Sequence, residues 1–271
     1  MAVNERNTEV KHQESETGTR NERQKVIACL AFSVVYCLFS VFVSSADCFP
    51  IPEHLRYDLT WSGIKTGDAV LEVKQRGENI QLISKANTSP WASLFFLVDD
   101  TVVSTIRKRK DNSSAGFIGV PLNYRIKIHE GRQQRDKEFI MDHVSKKVAY
   151  INYLTNDKKE FGINEFTLDP LSTFYFIRTL SLEVGNSVFI DVFDSEKLYK
   201  AEVKVLKKEV LETPAGKFNT VLIKPIIRSE GIFFRKGDIF IWLTDDNRKV
   251  PVMMKTRIAV GTVKAILVGG L

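Results

Sequence analysis

The sequence predicts an all-β fold with one or two short helices: a curved antiparallel sheet, built as a half-barrel or flattened barrel, with a helix packed on its concave face. Three observations predict it. Apolar and polar residues alternate with period two in many separate segments. Gly and Pro turn signals fall at short intervals between those segments. Only two stretches carry a helix-start signal, a capping residue followed by Pro. No long linker and no internal repeat divides the pattern, so residues 50–271 form a single antiparallel β domain.

Taken in order, Leu55, Tyr57, Leu59 and Trp61 alternate with Arg56, Asp58 and Thr60, a half-buried strand. Ala69, Leu71 and Val73 repeat the pattern, Gln75–Asn79 turns the chain, and Ile80 to Ala86 returns it. Gly63 and Gly67 mark a bend or bulge in this first hairpin. Leu122, Tyr124, Ile126 and Ile128 point one way while Asn123, Arg125, Lys127 and His129 point the other. Phe139 to Val144 and Lys147 to Tyr153 make a hairpin, and Val188 to Phe193, Tyr199 to Val210 and Phe218 to Ile227 follow. Pro214 and Gly216 suit the tight turn before Phe218. Ile239 to Leu243 is apolar on both faces and reads as a central strand, with two last strands through Pro251 to Ala259 and Thr262 to Val268.

The helices open at Ser89-Pro90, leading into WASLFFL, and at Asp169-Pro170. In the second, Leu171, Phe174, Tyr175, Arg178 and Leu182 share a face at 100° per residue, about the helical repeat. Apolar residues fill most of the remainder, so this helix is expected to be buried on more than one side. That places Arg178 among aromatic neighbours. A buried guanidinium needs an acidic partner or a route to water. One reading is a structural clamp, with Asp169 at the helix start and Asp58, Asp245 or Asp246 as the partner. The other is a cation for an anionic headgroup inside a cup lined by Arg178, Tyr175, Phe174, Ser172 and Trp61. A snorkelling arginine is the third.

Ahead of this domain, residues 1–25 are polar, charge-balanced and without periodicity, a disordered leader. Residues 26–46 combine an uncharged apolar run, Val26 to Val43, with small residues before Ala46. This is the layout of a signal peptide cleaved after Ala46 or of an uncleaved signal anchor, a transmembrane helix. Lipobox readings at Cys29 and Cys48 fit poorly, because charges precede the first and Asp47 abuts the second. Either way the domain is expected outside the cytoplasm, periplasmic or facing the periplasm from the inner membrane, touching the membrane only through this segment.

Composition is ordinarily globular: 44% hydrophobic and 27% charged in 271 residues, with net charge +6. Lys and Arg are scattered through alternating strands rather than massed, which argues against nucleic acid. All three cysteines lie at or before Cys48, so the domain has no disulfide, cysteine metal site or thiol nucleophile. No nucleophile elbow, phosphate loop or zinc-protease motif occurs, and His12, His54, His129 and His143 lack metal spacing. No metal or cofactor is expected. Asp99-Asp100 and Asp245-Asp246 are adjacent pairs, and strand neighbours point to opposite faces rather than forming a catalytic dyad.

Four stretches, YDLTWSGIKTGDAVLEV, DPLSTFYFIR, TPAGKFNT and WLTDDNRKVPV, resemble in their order the exported bacterial envelope proteins grouped as domain of unknown function 3108. The resemblance runs from about Leu55 to Leu267. It implies an envelope protein with a curved antiparallel sheet and no established reaction. More loosely, it is similar to the half-barrels that carry outer-membrane lipoproteins. The reading is therefore a non-catalytic envelope protein that binds a hydrophobic or amphiphilic ligand, a lipid or lipidated partner. The alternatives are a scaffolding protein of envelope assembly, or a glycan-active hydrolase.

Overall fold

The computed structural model describes residues 49–108, 119–226, 238–258 and 261–271. The polar leader and the signal or anchor segment lie outside the described residues. Chain order runs β1 (Glu53–Trp61), β2 (Ile64–Arg76), β3 (Asn79–Thr88), α1 (Pro90–Ser93), β4 (Val98–Lys108), β5 (Gly119–Glu130), β6 (Gln133–Asp142), β7 (Lys147–Asn152) and β8 (Lys158–Gly162). It continues with α2 (Pro170–Ile177), β9 (Ser187–Asp194), β10 (Lys197–Thr213), β11 (Gly216–Ile226), β12 (Ile239–Thr244), β13 (Pro251–Ile258) and β14 (Gly261–Gly269).

These strands form one antiparallel sheet in the order β8-β7-β6-β5-β4-β3-β2-β1-β14-β13-β12-β11-β10-β9. It is two meanders, β1–β8 and β9–β14, joined where β14 returns to pair with β1. Its free edges, β8 and β9, are consecutive in the chain, with α2 between them. The sheet bends far enough for those edges to approach. Leu168 makes a single bridge to Val192, Asn164 Nδ2 donates to Asp191 Oδ2 at 2.8 Å, and Lys159 Nζ lies 2.6 Å from Glu196. Phe161 and Phe193 pack across the same gap, 5.6 Å between ring centres. No strand ladder seals it, so the barrel is incomplete, and helix α2 lies inside the bend.

The alternating segments are the strands, as expected, and β12 carries core residues on both faces. Two strands have weak sequence signals for physical reasons. In β4 the inward series Val98, Asp100, Val102, Ser104, Ile106 is broken by polar residues, while β8 has one large apolar residue, Phe161. The WASLFFL helix is corrected to a single turn, α1. Ser89 does not cap it; its hydroxyl donates to Thr66 O at 3.1 Å instead. The second helix is shorter than the apolar run suggests, because it ends at Ile177 with Arg178 as its C-cap. Leu182 is therefore buried beyond the helix rather than along its face.

Helix α2 is the wedge between the two meanders. Leu171 and Tyr175 pack with the core of the first, and Ile177 packs with that of the second. Phe174 touches both of these clusters and a third around Leu55, Tyr57 and Leu267.

Candidate functional site

The site is best built from the base of the bend, where β1 starts and the β12–β13 turn lies. Arg178 is fully buried there, with its side chain 0% exposed. Its Nη1 and Nη2 donate to Glu53 Oε2 and Oε1, both at 2.7 Å, a bidentate pair. Its Nε and Nη2 also donate to the carbonyls of Lys249 (3.1 Å) and Arg248 (3.2 Å). The rings of Phe49 and Tyr175, in edge contact with each other, lie 4.7 and 5.0 Å from the guanidinium. Burial works against the charge on Arg178, but pairing with Glu53 outweighs it and holds the pKa above its ordinary value. The carboxylate on Arg178 is that of Glu53, not of Asp58, Asp245 or Asp246. Asp58 pairs with Lys65 (2.7 Å) and Asp245 with Lys208 (2.7 Å). Asp246 Oδ1 instead accepts from the N–H groups of Arg248 (3.0 Å) and Lys249 (2.9 Å). It thereby shapes the turn whose carbonyls reach Arg178. Glu53 has the same parity as Leu55 and Tyr57 along β1, so a carboxylate facing the core was readable from the alternation itself.

Asp169 and Ser172 are likewise committed to structure. Asp169 Oδ1 accepts from the N–H groups of Leu171 and Ser172, both at 2.9 Å, and its Oδ2 accepts from Ser104 Oγ at 2.6 Å. Ser172 Oγ accepts from the Asp169 N–H at 3.0 Å, completing a capping box. Burial raises the Asp169 pKa despite these bonds. His143 directs its ring nitrogens to the carbonyls of Glu165 (3.0 Å) and Pro121 (2.8 Å), a structural tie.

Above this sealed base the interior opens. Six inward side chains, Leu59, Val102, Ile128, Tyr199, Ile239 and Met254, are only partly buried. Each lies on its strand just beyond fully buried residues, toward the opposite pole: Leu59 after Leu55 and Tyr57, Ile128 after Tyr124 and Ile126, Met254 after Val252. Strands running the other way show the same gradient, with Val102 rimward of Ser104, Ile239 of Ile241 and Tyr199 of Ala201. Phe174 is also only partly buried although it touches all three core clusters. A side chain that touches all three core clusters yet keeps some solvent access marks where the interior meets solvent, and we read it as the floor of a cup. Tyr175, beside it, is fully buried and lies beneath that floor, with burial raising its pKa. Trp61, at the rim end of β1, is 42% exposed, and a Cβ on Gly261 would meet its indole Nε1 at 2.8 Å.

The wall carries charge on one side only in part foreseen by the sequence. Register pairs Arg135 with Ile128 and Lys137 with Ile126, and directly opposed residues share a face. Both cations are therefore inward. Lys137 Nζ lies 5.3 Å from the centre of the Tyr150 ring and Arg135 Nη2 lies 3.5 Å from Glu130. Asp194 is buried near them; burial pushes its pKa up, against the Ser195 hydrogen bond and the two cations. Alternation concealed these residues, because KEF and RDK in β6 read as the polar face of a hairpin. The Arg178 guanidinium is engaged by Glu53 and two carbonyls, whereas Arg135 and Lys137 are cations on the inward face of the wall, Lys137 with Glu196 4.0 Å away. Among the described residues no cluster of His, Cys, Asp and Glu could hold a metal ion, and no helix is long and apolar enough to cross a membrane.

Similar solved structures include a β-barrel-like protein of domain of unknown function DUF1849 from Brucella abortus, with TM-score 0.47, 11% identity, 81% of this chain covered and 96% of that one. A protein described as exported, with a YmcC-like fold, from Bacteroides fragilis has TM-score 0.31 and 11% identity over 81% of this chain and 95% of that one. No curated protein matches the chain. The sequence model of the protein of unknown function DUF3108 matches residues 56–268, from the second meander's partner strand β1 to the end of β14, and the chain therefore belongs to the DUF3108 family.

Proposed function

We propose that this protein is a non-catalytic binder of an anionic amphiphile, working in the bacterial envelope after export. The observation that carries the reading is the burial gradient that converges on Phe174. Apolar wall lines the cup, and a tail entering from the rim would replace water on Phe174, Val102 and Ile128, a transfer worth about 25 cal/mol per Å². Arg135 and Lys137 supply cations at the edge of that wall, where a phosphate or carboxylate headgroup would sit. The hydroxyls of Ser104 and Ser172 are buried in the α2 cap, where the carboxylate beside them, Asp169, is committed to the N–H groups of Leu171 and Ser172, which favours binding over hydrolysis. Export rests on the apolar segment at 26–46.

The test is to purify the chain from a bacterial host without delipidation and extract it for mass spectrometry. Stoichiometric phospholipid or another acidic amphiphile is expected. In Arg135→Glu/Lys137→Glu, occupancy should fall roughly tenfold, each exposed cation being worth up to about 1 kcal/mol, with circular dichroism unchanged. Folded protein that yields no lipid, and takes up no fluorescent fatty acid, removes the reading.

A further inference from the structure

The rim carries a second feature that ligand binding does not explain. The connection from β3 to β4, residues 89–97, reads SPWASLFFL and contains no charge. It is firmly built. Ser89 N and Oγ both donate to Thr66 O (2.8 and 3.1 Å), Val98 N donates to Thr88 Oγ1 at 3.0 Å, and Ala92 is buried beneath the turn. At its far side Gly131 N donates to Leu97 O at 2.8 Å, and a Cβ on Gly131 would come within 2.9 Å of the Phe96 ring. Yet this pinned backbone turns its large side chains outward: Trp91, Leu94, Phe95 and Phe96 are 49%, 84%, 80% and 54% exposed. Exposed apolar clusters of this kind mark a contact surface.

The shape and charge of the tip select the partner. It is a convex knuckle on two long strands, not a groove, so it suits a soft apolar phase better than a complementary pocket. Antiparallel pairing puts the β1–β2 turn (residues 62–63) and the β5–β6 turn (residues 131–132) at the same pole. These turns and residues 89–97 together contain no acidic residue and one cation, the exposed Arg132, whose chain neighbour Gly131 abuts the Phe96 ring. Ile64, where β2 leaves the first turn, is 62% exposed. Trp with Phe and Leu, bordered by Arg, is the composition that settles at a bilayer interface, with rings at headgroup level and the cation on lipid phosphate. We infer that the β3–β4 tip inserts into the surface of an anionic phospholipid bilayer, with Trp91, Leu94, Phe95 and Phe96 in the acyl boundary and Arg132 on a headgroup phosphate. The mouth of the cup is at this same pole, so docking would set it against the lipid surface.

Tryptophan quenching tests this in the full chain. The three tryptophans are Trp61, Trp91 and Trp242, and none lies in the N-terminal apolar segment, so their quenching is blind to that segment. The chain is mixed with vesicles of phosphatidylcholine and phosphatidylglycerol bearing brominated acyl chains. The emission that Trp91→Phe removes should be lost on brominated vesicles and kept on unbrominated ones. Buried Trp242 should be unaffected, which reports an intact fold. Leu94→Ser/Phe95→Ser, at positions already in solvent, should abolish the quenching of Trp91. Arg132→Glu should weaken binding to the anionic vesicles roughly fivefold and leave pure phosphatidylcholine vesicles unchanged. Trp91 left bright on vesicles that carry the chain overturns the inference. So does a tip that instead pairs two copies of the chain, seen as a dimer that Leu94→Ser/Phe95→Ser dissociates while vesicles quench nothing. Lipid extraction separates the two readings: an empty cup with a quenched Trp91 removes only the binding role, and a filled cup with a bright Trp91 removes only this one.

Discussion

At the residue scale, the one buried cation among the described residues, Arg178, is spent on architecture. Arg178 joins β1, α2 and the β12–β13 turn through four hydrogen bonds to Glu53, Arg248 and Lys249. Removing one partner strands the other in a desolvated site, whereas removing both leaves an apolar contact. Glu53→Gln is therefore expected to cost about 3–5 kcal/mol, read from urea unfolding, and Glu53→Leu/Arg178→Met to recover much of it. Lys at 178 should not substitute, since it lacks the planar fork. Asp194 makes a pH prediction. Burial raises its folded-state pKa above the unfolded value of about 4, so the native state holds the proton more tightly than the unfolded chain. Its contribution is then unfavourable at neutral pH and relaxes as pH falls through the raised pKa toward the ordinary one. Asp194→Asn should be more stable than the parent at pH 7, with the gap closing on acidification in a series of denaturation curves. Arg178 announced itself in the sequence as a guanidinium in an apolar run. Its partner was harder to see, because a glutamate at a strand start looks solvated unless its parity is followed into Leu55 and Tyr57.

At the scale of elements, helix α2 forms where two signals agree, and α1 stays short where they do not. Asp169 and Ser172 close a capping box, and the residues that follow are buried on both sides by the sheet. Asp169→Ala should cost about 2–3 kcal/mol, the cap plus a Ser104 hydroxyl left unpaired in the core, whereas Asp169→Asn should cost less because its amide oxygen still accepts from Leu171 and Ser172. The shift in unfolding midpoint measures both. Ser89-Pro90 has the same dipeptide logic, but nothing packs over Leu94 and Phe95, and a short helix without tertiary burial does not propagate. Period-two alternation located most strands because one face of each is buried. It was silent for β4, where Asp100 and Ser104 stand at inward positions, and for β8, which lies at a sheet edge and buries little. Lys137 and Arg135 were invisible for the same reason: polar residues facing a wet cavity alternate no differently from polar residues facing bulk water.

At the scale of the whole domain, the sheet's centre and its edges should differ in stability. The β1–β14 pairing unites the two meanders and is flanked by core on both sides. The β8 and β9 margins are linked to each other by one bridge, one aromatic contact and a few polar contacts. Amide hydrogen exchange should therefore open β8 and the Leu168–Val192 contact first and the amides of β1 and β14 last. Uniform protection across all strands would contradict this. In a closed barrel, strand number and stagger set the bore once and for all. This wall is a slit collar instead: its girth follows how far the two lips part, and what holds them together is Leu168, Asn164, the Lys159–Glu196 pair and the Phe161–Phe193 ring contact. A vessel with a slit can be fitted to its contents, so cargoes of unequal thickness would share one lining without a single strand being re-paired.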